Sequence, residues 1–113
     1  MKKQETFSIR FFDRKSRVTK QQYGPLFVRI TVNANRLEIS LSKTVSNEIW
    51  HEKLQKCKGN SKEAKATNDF LEATIFRLND IRQRLIIEGK EITADFIKAR
   101  YKGLPDPDEI QNP

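Results

Sequence analysis

The stretch Pro25–Ser42, PLFVRITVNANRLEISLS, alternates apolar and polar residues twice around a short polar break. A period of two sustained over that length is the pattern of a half-buried antiparallel strand pair. It constrains the fold more than any other feature. Leu26, Val28, Ile30 and Val32 fall on one face, and Leu37, Ile39 and Leu41 fall on the same face once the chain reverses. A two-residue turn at Ala34-Asn35 pairs Val32 with Leu37, Ile30 with Ile39 and Val28 with Leu41, so that the apolar sets coincide. Alanine resists the positive φ that tight hairpin turns require, which leaves the turn type open. The opposite face then carries Phe27, Arg29, Thr31 and Asn33 on one strand and Arg36, Glu38, Ser40 and Ser42 on the other.

Charge is distributed unevenly along the chain. Residues 1–45 hold ten basic and three acidic side chains, and residues 46–113 hold twelve of each, so the whole net charge of +7 lies in the strand-forming part. A basic excess confined to one layer is the footprint of a polyanion binder. With 113 residues the chain suffices for one small domain. No run approaches the roughly 20 apolar residues of a membrane helix, and no long apolar segment follows the basic start as in a signal peptide. A single cysteine, Cys57, cannot form an internal disulfide, which fits a cytoplasmic protein.

Around the hairpin the segmentation is as follows. Thr6–Lys15 reads as a first strand, with Phe7, Ile9 and Phe11 inward and Ser8, Arg10, Phe12 and Arg14 outward. A polar loop with Lys15, Arg17 and Lys20 leads to Gly24-Pro25. After the hairpin, residues 42–59 read as irregular, with one helical turn starting at Ser46 and with Val45, Ile49 and Trp50 as core anchors. A long helix begins at Asn60 or Ser61, where Asn60 and Glu63 resemble a capping box, and ends at Gly89. Ala64, Leu71, Ile75, Leu78 and Leu85 mark its apolar face, interrupted by Asn68 and Arg82. Such a helix spans roughly 40 Å, more than the sheet can cover, so Phe70, Phe76, Ile81, Ile86 and Ile87 call for a second cover. A short helix, about Ala94–Lys102 with Thr93 as N-cap, supplies one. The predicted class is α+β: a three-stranded antiparallel sheet against a long helix, plus a short C-terminal helix. Residues 1–103 form the domain, and the proline-rich 104–113 form a linker or tail.

No reaction centre is visible. The sequence has one histidine, no glycine-rich phosphate loop and no Cys-x-x-Cys, and no cofactor or metal is expected. His51 reads as a surface residue, and Cys57 as incidental. Binding is therefore favoured over catalysis.

The chain resembles the N-terminal arm-type DNA-binding domain of tyrosine-type site-specific recombinases, the integrases of phages and conjugative transposons. The resemblance covers about residues 5–103. It rests on the order Phe11-Phe12, Arg14-Lys15, Gly24-Pro25, Val28 to Asn33, Arg36, Glu38-Ile39-Ser40, Val45 with Trp50, Gly59 to Lys65, and Gly89 followed by Ile92-Thr93-Ala94. It implies a sheet that enters the major groove at arm-type sites, while a core-binding and a catalytic domain, neither present in this sequence, hold the crossover site. Tyr23 and Tyr101 take no catalytic role.

On that footing Arg10, Arg14, Arg29, Thr31, Asn33, Arg36 and Ser40 are the candidate groove residues. Arginine suits guanine edges and asparagine suits adenine. Phe12 and Phe27 either touch thymine methyls or cover the sheet. Lys15, Arg17, Lys20 and Lys43 are expected on phosphates, which set register rather than sequence. The expected partner is double-stranded DNA, with a recombinase multimer forming on it and no membrane. Two other classes compete: an RNA-binding or ribosome-associated module that stacks bases on exposed phenylalanines, and a protein-interaction domain that works through the long helix.

Overall fold

A computed structural model describes residues 6–14 and 23–109. Three strands, β1 (Phe7–Asp13), β2 (Tyr23–Val32) and β3 (Asn35–Ser46), form one antiparallel sheet in the order β1-β2-β3. Leu26, Val28, Ile30, Val32, Ile39 and Leu41 are all buried on one face, which is the outcome the alternation demands. Behind that face lie α1 (Lys62–Ile87) and α2 (Ala94–Tyr101). Leu71, Leu78, Ile81, Leu85, Phe96 and Ile97 join the sheet residues in one core.

The hairpin register differs from the sequence expectation. Val32 pairs with Asn35, Ile30 with Leu37 and Val28 with Ile39, so the turn is Asn33-Ala34, one residue upstream of the predicted Ala34-Asn35. The backbone chemistry explains the shift. Asn33 takes φ 57°, a left-handed conformation that asparagine tolerates and alanine resists. The anticipated pairing is met only at the far end, where Pro25 faces Thr44 and Gly24 faces Val45. Between the two registers β3 carries an irregularity at Ser42, whose φ is 56° and whose N–H donates to Ser40 Oγ at 3.2 Å.

One hydrogen-bonded turn starts at Ser46, as expected, with Ile49 N–H donating to the Ser46 carbonyl at 3.2 Å and Glu48 N–H to Ser46 Oγ at 3.3 Å. The rest of the segment, expected to be irregular, forms a small hairpin, β4 (Trp50–His51) with β5 (Lys56–Cys57). Trp50 is buried as anticipated. The hairpin closes two open ends. Gln55 Oε1 accepts from Phe11 N–H at 2.8 Å, capping a donor on the free edge of β1. Asn68 brackets Cys57, accepting from its N–H at 2.7 Å and donating to its carbonyl at 3.1 Å. That is why a polar residue interrupts the apolar stripe of α1. Arg82, the other interruption, lies 5.4 Å from the Phe7 ring centre.

Ser61 caps α1, its Oγ accepting from Ala64 N–H at 3.1 Å; the cap is not the anticipated Asn60–Glu63 box. The helix closes with Gly89 at φ 72°, Gly89 N–H donating to Ile86 and Lys90 N–H to Leu85, the paired bonds of a Schellman stop. Thr93 Oγ1 accepts from Phe96 N–H at 3.1 Å and starts α2 as expected. Ile81 is buried in the core, but Phe76, Ile86 and Ile87 are exposed, so the second cover anticipated for them is incomplete. A single turn of 3-10 helix, Pro107–Glu109, follows. Asp106 is buried before it, tied to Lys90 at 2.6 Å and to Arg100 at 2.8 Å.

Candidate nucleic-acid interface

The outer face of the sheet follows from the register. Cross-strand partners build three rows: Ser8, Thr31 and Arg36; Arg10, Arg29 and Glu38; Phe12, Phe27 and Ser40. Each row takes one residue from each strand, so residues far apart in sequence sit about 5 Å from their neighbours. Arg14 follows β1 and reaches over the last row.

The rows are internally linked. Phe12 and Phe27 stack with ring centres 5.7 Å apart and planes 20° apart. The Arg14 guanidinium lies 4.3 Å from the Phe27 centre, and that of Arg29 lies 5.0 Å from Phe12, within cation–π range. Glu38 ties the cluster together. Its Oε2 accepts from Arg29 Nη2 at 2.8 Å and Nε at 3.2 Å, while its Oε1 accepts from Arg14 Nη2. The Arg29 bonds, opposed by partial desolvation and reinforced by Arg14, hold the Glu38 carboxyl below its ordinary range. Among the described residues neither Arg10 nor Arg36 makes an ion pair, and both are exposed.

Two candidates, Asn33 and Lys43, fall elsewhere. Asn33 is a turn residue rather than a strand residue, and its Oδ1 accepts from Thr6 N–H at 3.2 Å. Ser40 is in its row, with its hydroxyl supporting Ser42. Lys43 is on the helix side, its Nζ 4.7 Å from the Phe70 ring centre, because its odd position in β3 shares the phase of Ile39 and Leu41. Lys15, Arg17 and Lys20 lie outside the described residues.

The register expected from the sequence would set Glu38 opposite Thr31; the observed one sets it opposite Arg29. Other charged groups have structural work. Asp106, Asp108 and Glu109 converge, but Lys90 Nζ stands among them at 2.6, 3.7 and 3.6 Å. His51 Nδ1 accepts from Leu54 N–H at 3.2 Å. Burial raises the Cys57 thiol pKa.

The family model that describes the arm DNA-binding domain matches residues 11–98. The chain belongs to the arm DNA-binding domain family. The match takes in the outer-face residues from Phe12 to Ser40, most of the sheet and all of α1. No curated protein and no solved structure matches the chain. An arm domain is a DNA-binding module, and no helix among the described residues is long and apolar enough to cross a membrane.

Proposed function

We propose that this arm domain recognises a specific sequence in duplex DNA by laying the outer face of β1-β2-β3 in the major groove, as the N-terminal part of a tyrosine recombinase. The observation that carries the reading is the set of four arginines, 10, 14, 29 and 36, gathered on the sheet face away from both helices. Strands about 4.8 Å apart make a ribbon roughly 10 Å across, which fits a groove about 12 Å wide.

In this reading Arg10 and Arg36, free of ion pairs with described residues, meet the DNA first. Arg29 and Thr31 read base edges from the central strand. Arg14 stays paired with Glu38 over the Phe27 ring, and Lys15, Arg17 and Lys20 add phosphate contacts. Phe12 and Phe27 are covered by guanidinium groups rather than open, which weighs against a base-stacking RNA platform. Residues 1–103 act as the arm-site unit, with 104–113 leading toward core-binding and catalytic regions. Holding two DNA segments through one chain raises effective concentration, a gain of about 10²–10⁴ in affinity.

Selection of bound duplexes from a randomised pool tests the proposal. An enriched sequence is expected, with NMR shifts on the three outer rows when that duplex is added. A pool that stays random, shifts confined to α1, or preferential competition by single-stranded RNA would overturn it.

A further inference from the structure

The exposed side of α1 carries a second apolar stripe that the DNA reading does not use. Ile75, Phe76, Ile86 and Ile87 are 39, 75, 45 and 80% exposed. With Asn79 and Gln83 they recur at three- and four-residue steps, which places all six on one helix face. None of the six is charged. The pattern of apolar, apolar and amide side chains reads alike from either end: Ile75 and Ile87 are equidistant from position 81, as are Phe76 and Ile86, and Asn79 and Gln83.

We propose that this face binds a second copy of the chain, α1 against α1, antiparallel about a two-fold axis near position 81. In such a pairing residue i meets j and j meets i. Ile75 then meets Ile87, Phe76 meets Ile86, and the amides of Asn79 and Gln83 bond across the centre. Ile87, the most exposed, also reaches a cavity beside Ile75 of about 180 Å³, whose lining is apolar at Phe11, Leu54 and Leu71 and charged at Lys56 and Glu72.

Charge permits that partner. Residues 46–113 are balanced and the excess of +7 lies in the strand part, so two copies can approach through α1 without opposing like fields. Their basic sheets then face outward. The four apolar side chains offer on the order of 500 Å² per copy. With the amides this nears the roughly 800 Å² per partner of a standard interface, so the dimer is expected in the micromolar range.

Sedimentation equilibrium of the full chain without DNA, from about 5 to 500 µM, reads this out. A monomer–dimer equilibrium is expected, weakened about tenfold or more by Phe76→Glu with circular dichroism unchanged. Chains carrying Asn79→Lys with Gln83→Lys, or Asn79→Glu with Gln83→Glu, should each stay monomeric and should pair when mixed. A monomer at every concentration overturns the proposal, as does a dimer indifferent to Phe76→Glu. Failure of the mixed chains to pair overturns the antiparallel arrangement on which it rests.

Discussion

Glu38→Gln is the most informative single change on the outer face. One carboxylate holds two guanidinium groups there, Arg29 through two bonds and Arg14 through one. Glutamine keeps the shape and removes the charge, so both arginines become available to phosphate. Each phosphate contact contributes about 0.9 to the slope of log affinity against log salt. Between about 50 and 200 mM salt, one freed arginine changes the affinity ratio about 3.5-fold and two change it about 12-fold. Fluorescence anisotropy with a duplex of arbitrary sequence measures the slope directly. The variant should bind tighter at low salt and show a slope steeper by between about 0.9 and 1.8. A slope unchanged or flatter would refute the argument that Glu38 masks two groove-facing cations. The stability cost should be small, because these pairs are partly exposed and screened pairs are worth about 0.2–1 kcal/mol. The Glu38 carboxyl is lowered in the folded state. Its contribution is therefore present above the ordinary carboxylate range and lost as pH falls through it. Wild type and variant should accordingly converge in Tm in acid.

Other changes test the scaffold and the reading residues. Arg29→Ala should cost about 1–3 kcal/mol on a selected duplex and less on random DNA; equal loss on both in anisotropy titrations would reduce Arg29 to a phosphate contact. Asn68→Ala strips two bonds from the Cys57 backbone, and urea unfolding should show a loss of about 2–4 kcal/mol. Asp106→Asn weakens the ties to Lys90 and Arg100 and should lower Tm by several degrees near neutrality. The Asp106 carboxyl is held far below its usual range by Arg100 and then Lys90, so that deficit should vanish only in strong acid, as thermal scans against pH will record. Cys57 should react slowly with iodoacetamide in the native protein and quickly in denaturant, since burial raises its pKa.

The layers of this fold were legible because period-two alternation and a 3.6-residue stripe each answer to a single buried face. The exact register was not. Turns at Asn33-Ala34 and at Ala34-Asn35 bury the same apolar residues, and only the preference of asparagine for positive φ separates them. That small difference hid the site's main contact, since the expected register opposes Glu38 to Thr31 whereas the true one opposes it to Arg29. The strands of β4 and β5, two residues each, are too short to show any period. Their purpose appears only once Gln55 is seen at the edge of β1. Lys43 was assigned by its charge alone; its odd position sets it on the side of Ile39 and Leu41, where its Nζ lies 4.7 Å from the Phe70 ring centre.

The irregularity at Ser42 shifts the pairing from Phe27 with Ser40 to Pro25 with Thr44, a slip of two residues. Two is the number that leaves the pleat in phase. Gly24 and Val45 therefore stay inside and Pro25 and Thr44 outside, even though the strands beyond the slip keep a different alignment. The start of β2 and the end of β3 thus keep an alignment of their own, two residues out of step with the arginine rows, and still pack on the same core. Length can be added or removed at that point without turning the rows over, provided that changes in β3 come in pairs. A single inserted residue there would turn Val45, now fully buried, out to solvent and Thr44 in.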